Sequence, residues 1–180
     1  MGKNFHGART EVFWDVTDFP IRTTDRSYLE TLRSVIGNYG YTGPLRLRAY
    51  GEKKPDNLGD GITFELIGEK FARLNKMLLD IGLWELDTTH LSLTLTNVLV
   101  IAENIDEDTS FVSVSRNLKS HARNCLWVLP DDYEDEKIYR VKLPSANFIW
   151  KWQDLLDGNE PMSKDKVSSM RCKTPCDRLG

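Results

Sequence analysis

Short apolar runs alternate with longer amphipathic stripes along this chain, and that alternation restricts the fold more than any other feature. Thr10-Glu11-Val12-Phe13-Trp14-Asp15-Val16 is short, aromatic and β-branched, the pattern of a strand buried on both faces. Tyr28, Leu29, Leu32, Val35 and Ile36 follow at helical spacing, with Asp25 as a candidate N-cap and an end near Asn38-Tyr39-Gly40. Leu45 to Tyr50 alternates as a second strand after Gly43-Pro44. Glu52 to Gly61 is polar loop, and Ile62 to Ile67 reads as a further strand. Phe71, Leu74, Leu78, Ile81 and Leu83-Trp84 form the strongest helical stripe. Val98-Leu99-Val100-Ile101-Ala102 is the clearest buried strand, Phe111 to Ala122 reads as helix, and Cys125 to Leu129 closes as strand. Strands alternating with helices imply right-handed βαβ crossovers and a parallel sheet. The expectation is therefore an α/β, Rossmann-like three-layer α/β/α domain with a mainly parallel central sheet. Its strands fall near 10–16, 45–50, 97–102 and 125–129, and its helices near 26–37 and 71–86.

Beyond Pro130 comes an acidic loop, and Phe148 to Leu156 reads as an extra helix. From Gly158 onward Ser, Lys and Pro dominate, so the domain is placed at residues 8–157 and a frayed tail at 158–180. The tail carries five basic and three acidic residues; the 19 basic and 24 acidic residues before it leave a net of −5. So acidic a body is a poor bulk attractor of phosphates, though it suits an acidic metal site. No apolar run approaches the ~18 residues of a membrane span. The first residues, Met1 to His6, lack a signal-peptide hydrophobic segment, and His6 stands where a myristoylation motif needs Ser or Thr. The location expected is cytoplasm or nucleus, with no membrane partner. Cys125 sits in an apolar run as a buried thiol, and Cys172 and Cys176 lack zinc-site partners and spacing.

In an open parallel sheet, sites form at the carboxyl ends of strands. Asp15 ends the first strand, with Asp18 just after it; Asp80 lies in the Phe71–Trp84 stripe; Glu103, Asp106, Glu107 and Asp108 follow the strongest strand. Carboxylates converging from separate elements are what Mg²⁺ takes, and such an ion activates water for phosphoryl displacement. Singly, acidic residues after strands are ordinary loop solvators. Asp15 stands apart, because a carboxylate abutting Val12-Phe13-Trp14 is costly to bury without a purpose. Asp106-Glu107-Asp108 is no EF-hand, since Phe111 stands where glycine is needed. No phosphate-binding Gly-rich loop follows the first strand, and His6, His90 and His121 have no Ser or Cys partner for triad chemistry. Trp150 and Trp152 have the rings to stack on bases, but beside Phe148 and Leu155 packing is the commoner use.

Phe13-Trp14-Asp15-Val16 resembles the first strand of NYN domains of the limkain or meiosis-arrest type, a branch of the PIN-like ribonucleases, where Trp-Asp-Ile-Glu-Asn supplies the first catalytic aspartate. Tyr41-Thr42-Gly43-Pro44 and Leu45 to Gly51 are similar to that family's Gly-Pro and strand ending Arg-Ala-Tyr-Gly. Lys76-Met77-Leu78-Leu79-Asp80 with Trp84 resembles its third helix, whose aspartate is the second acid. Val98 to Ala102 resembles the strand before its Ser-Gly-Asp-Arg-Asp-Phe motif. The resemblance spans about Thr10 to Pro130 and implies a PIN-like fold, Mg²⁺ or Mn²⁺ at Asp15 and Asp80 with help from Asp106 or Asp108, and single-stranded RNA as substrate. Two departures stand against it: Thr17-Asp18 replaces the family's Glu-Asn, and Ala102-Glu103-Asn104 replaces its Ser-Gly-Asp.

Two readings follow. One is a metal-dependent endoribonuclease with a weakened site; the other is an inactive NYN fold that binds RNA or a protein. A small-molecule enzyme on an unrelated Rossmann-like sheet is third. On the first reading Asp15 sits beside Asp80 at the rim, each raising the other's pKa unless a cation intervenes. Asp15→Asn would then raise or preserve stability in the absence of metal, and Asn104→Asp would tighten metal binding.

Overall fold

The computed structural model describes residues 5–21, 26–89, 95–105, 109–121, 123–134 and 146–163. Its elements run β1 (Arg9–Asp15), α1 (Tyr28–Asn38), β2 (Leu45–Gly51), β3 (Thr63–Leu66), α2 (Lys70–Thr89), β4 (Thr96–Ile101), α3 (Thr109–Ser120), β5 (Asn124–Leu129), β6 (Ala146–Lys151), α4 (Trp152–Asp157) and β7 (Met162–Ser163). The strands form one sheet in the order β3-β2-β1-β4-β5-β6-β7. Neighbours from β3 through β6 are parallel, and β7 is antiparallel to β6. This is the expected Rossmann-like α/β architecture.

Period-two alternation distributes each strand between two cores. Val12 and Trp14 of β1 point to one face, against Tyr28, Leu32 and Ile36 of α1 and Trp152 and Leu155 of α4. Phe13 points to the other, against Leu74, Met77, Ile81 and Trp84 of α2 and Phe111 and Leu118 of α3. With both faces covered, β4 is buried at every residue, which is why it reads as an unbroken apolar run. β3, at the sheet's edge, exposes Thr63 and Leu66 instead.

Several expectations change at the ends of elements. Ser27, not Asp25, caps α1: its hydroxyl accepts from the Glu30 backbone N–H, and the Glu30 carboxylate accepts from Ser27 N–H in return. Asp25 lies outside the described residues. The helix expected over Phe148–Leu156 begins only at Trp152, and Ala146–Lys151 is a strand. Phe148 and Trp150 pack with one core and Ile149 with the other, a period of two that the apolar composition masked. Trp150 and Trp152 are buried, so both pack and neither is a stacking surface. Of the segment assigned to the tail, the first residues are ordered parts of the fold: Gly158 caps α4 in the left-handed conformation (φ 76°), and Met162-Ser163 add β7. Residues 164–180 lie outside the described set.

Polar rungs cross the sheet at the amino ends of its strands. Asn97 donates to Thr10 Oγ1 at 3.2 Å and to the Phe5 carbonyl at 3.0 Å. Asn124 donates to Asn97 Oδ1 at 2.7 Å, and Asn147 to Asn124 Oδ1 at 2.7 Å. At the same end Arg123 is buried against Glu85 at 3.3 Å and stacks over Trp84, 5.4 Å from the ring centre. Among the described residues no helix is long and apolar enough to cross a membrane.

Candidate functional site

The strand order reverses between β1 and β4. The chain leaves β1 toward β2 and β3, and leaves β4 toward β5 and β6, so a crevice opens at the carboxyl ends of those two strands. Asp15, the last residue of β1, projects into this region and is completely buried. Arg73, on the first turn of α2, reaches in from above and is also buried. Its Nε donates to Asp15 Oδ2 at 2.7 Å. The other Asp15 oxygen accepts the backbone N–H groups of Thr17 at 3.0 Å and Asp18 at 3.3 Å. The rest of the guanidinium donates to the Gly68 carbonyl at 2.8 Å, Glu52 at 3.2 Å and Asp18 at 3.3 Å. Lys70, one residue into the same helix, bridges Asp18 at 3.2 Å and Glu103, which follows β4. Four carboxylates from three loops thus share two cations carried by one helix start.

Asp80 belongs to a separate cluster on the same α2 face of the sheet. It is buried; its Oδ2 accepts from Tyr50 Oη at 2.9 Å and its Oδ1 from Lys76 Nζ at 2.6 Å, while Arg48 Nη1 stands 3.8 Å off. Tyr50, whose hydroxyl bonds Asp80, is the register partner of Asp15 on the neighbouring strand. Burial, reinforced by the Asp80 charge, pushes the Tyr50 hydroxyl far above its usual value of 10 and keeps it a donor. The residues Arg48, Tyr50 and Asp80, drawn from separate pieces of the resemblance, are therefore in contact.

The expected acids are only partly united. Asp15 and Asp80 both lie at the α2 face, but each has its own cation. Asp106 and Asp108 lie outside the described residues. Asn104 is exposed at the turn after β4 with φ 57°, a left-handed conformation that Asn and Asp adopt more readily than other side chains. Among the described residues, no group of three His, Cys, Asp or Glu is arranged to share a metal ion. Every oxygen of Asp15 and Asp80 already accepts a hydrogen bond, and Arg73 and Lys76 supply the positive charge. The described residues therefore do not fit a divalent cation held jointly by those two aspartates.

Arg73 and Lys70 escaped the reading of the sequence. The signal was present, because Arg73 is in phase with Met77 and Trp84 at spacings of four and eleven, a charge on the apolar stripe of α2. An arginine there needs an acid beneath it, and Asp15 is that acid.

Burial is the largest influence on the Asp15 carboxyl and raises it above its ordinary 3.8; the bond from Arg73 pulls the other way, and the Asp18 charge adds to the rise. A raised carboxyl binds its proton more tightly in the folded chain than in the unfolded one. Its contribution is therefore greatest at acid pH, and it falls as pH climbs from about 3.8 through the raised value. The wild-type minus Asp15→Asn difference in unfolding free energy should accordingly shrink with rising pH across that window. A difference that grows instead would mean that Arg73 outweighs burial.

No protein-family model, no curated protein and no solved structure matches this chain significantly.

Proposed function

We propose that this chain is a non-catalytic PIN-like domain of the NYN type, which acts by binding a partner rather than by cleaving RNA. The observation that carries the reading is the Arg73 guanidinium 2.7 Å from Asp15 Oδ2, buried among the carboxylates of the switch-point crevice. A resident cation of the protein occupies the position at which the first acid of such a nuclease would engage its metal. Support for the NYN ancestry comes from the order of the resembling segments and from the contact of Tyr50 and Lys76 with Asp80. The exposed turn at Asn104 lacks the acid of the family motif.

The charge of the site favours a protein partner over RNA. Asp15, Asp18, Glu52 and Glu103 outnumber Lys70 and Arg73, and the chain before Gly158 is net acidic, so a phosphate backbone meets repulsion at the crevice. The assay is cleavage of end-labelled single-stranded RNA by the full chain with Mg²⁺ or Mn²⁺. The expected result is no product above the metal-only control, and no change on Asp80→Asn. Brisk cleavage abolished by Asp15→Asn and by Asp80→Asn would establish the endoribonuclease reading in its place.

A further inference from the structure

The step Asp-Gly occurs twice in this chain, at Asp60-Gly61 and at Asp157-Gly158, and Asn-Gly does not occur. Such a step is chemically exposed, because glycine has no Cβ to keep its amide nitrogen away from the carboxyl carbon of the aspartate before it. Both steps lie at the surface, and both glycines have a positive φ, 78° at Gly61 and 76° at Gly158. Neither exposure nor backbone hand separates them. Hydrogen bonding does. At the second step the Asp157 carboxylate accepts from Gln153 Nε2 at 2.9 Å, and the Gly158 N–H donates to the Leu155 carbonyl at 3.3 Å as part of the α4 cap. Both reacting groups are held. At the first step neither is: among the described residues the Asp60 carboxylate has no hydrogen bond or ion pair, and the Gly61 N–H has no acceptor. Asp60 stands in a turn between two glycines, and a Cβ at Gly61 would meet nothing within 4 Å, so no neighbour blocks the carboxyl from swinging over the amide.

We propose that Asp60 is a site of spontaneous isoaspartate formation in the folded chain, and that the fold protects Asp157 from the same reaction. The Gly61 nitrogen attacks Asp60 Cγ. A bond forms between them, the amide proton and the carboxyl hydroxyl leave together as water, and a succinimide closes. Water then adds to one of the two ring carbonyls. Addition at Cγ breaks the new bond and restores aspartate. Addition at the main-chain carbonyl breaks the original peptide bond, so the chain runs on through Cβ and Cγ and the α-carboxylate becomes the side group. The water lost is the water regained, and no co-reactant is consumed. The product belongs to the substrate class of carboxyl methyltransferases that recognise L-isoaspartyl residues. The change falls between two anchors. Leu58 is 1% exposed and its carbonyl accepts from the Leu29 N–H at the start of α1, while β3 begins at Thr63. Isomerisation lengthens the main chain between them by one carbon. The inference concerns the β2–β3 loop and does not rest on the proposed function.

The test ages the full chain at neutral pH and physiological temperature for several weeks. Isoaspartate is measured by methylation with an L-isoaspartyl carboxyl methyltransferase and radiolabelled S-adenosylmethionine, and its position is fixed by electron-transfer fragmentation of the derived peptides. Wild type should form it at Asp60 at least about tenfold faster than at Asp157, since two hydrogen bonds must open before the second step can react. In chain unfolded by urea the two steps should react at similar rates. Asp60→Glu keeps the charge but would have to close a larger ring, and it should lose the signal. Equal rates at the two steps in folded wild type, or a preference for Asp157, would overturn the proposal. So would a signal in Asp60→Glu as strong as that of wild type, or a wild type that forms no isoaspartate. A preference for Asp60 that persists undiminished in urea would assign it to flanking sequence and overturn the protective role of the fold.

Discussion

Arg73→Ala should destabilise the domain by about 3–5 kcal/mol, because it leaves the carboxylate of Asp15 buried without its cation. For a chain of this size that is a fall of roughly 10 °C or more in melting temperature. Asp15→Asn should also cost stability, since the amide cannot pair with a buried guanidinium. This reverses the expectation that Asp15, as a bare metal ligand, could be neutralised freely. The double variant, Arg73→Met with Asp15→Asn, should recover much of the loss by removing both charges together. Thermal melts of the two single variants and the double give the coupling directly. Costs that simply add would refute the pair as the organiser of the rim. A second readout bears on metal. In Arg73→Ala, millimolar Mn²⁺ should raise the melting temperature by partly replacing the lost cation, and in wild type it should not.

Trp14→Ala is the other large effect, at about 3–5 kcal/mol for deleting a fully buried indole. Trp14 is 0% exposed and its Nε1 donates to the Phe19 carbonyl at 3.0 Å. Its ring centre lies 5.1 Å from that of Tyr28 and 5.4 Å from that of Trp152, so it joins β1 to both helices of its face. Trp14→Phe should lose less, because the six-membered ring keeps part of that contact. Urea unfolding separates the outcomes: a midpoint for Trp14→Ala within error of wild type would show that α1 and α4 can close over the cavity. The neighbouring residues Trp14 and Asp15 thus divide their labour by strand alternation, one knitting a core and the other anchoring the rim on the opposite face.

Much of this arrangement was legible in residue patterns. β1, β2, β4 and β5 are short, apolar and bounded by turn residues, and the stripe from Phe71 to Trp84 repeats at helical spacing over enough turns to leave no rival reading. β6 was misread because two strand residues with opposite faces, Ile149 and Trp150, are both buried, and a short run buried on both faces has no visible period. The site was legible as to position and not as to chemistry. Asp15 at the carboxyl end of β1 and Asp80 on α2 were both singled out. What sequence spacing does not carry is distance between elements, so it could not show that Arg73 would pair with Asp15, or that Tyr50 and Lys76 would pair with Asp80.

The amide rungs at the amino ends of the strands have a consequence for how the chain finds its native pairing. Strands as uniformly apolar as Val98–Ile101 and Cys125–Leu129 offer little to distinguish one alignment from the next, since a slipped strand still presents hydrocarbon to both cores. Thr10, Asn97 and Asn124 remove that degeneracy. They meet only when β1, β4 and β5 align as Thr10 with Asn97 and Asn97 with Asn124. Asn147 falls where the pairing of β6 with β5 skips a residue, so the irregularity itself delivers the last amide to the row. Any shift by one residue would strand a carboxamide against hydrocarbon with its donors unused, at about 1–3 kcal/mol for each group. The row acts as a vernier that admits one alignment of the four strands, and Asn97→Leu should leave a sheet whose strands still associate but no longer agree on where to stop.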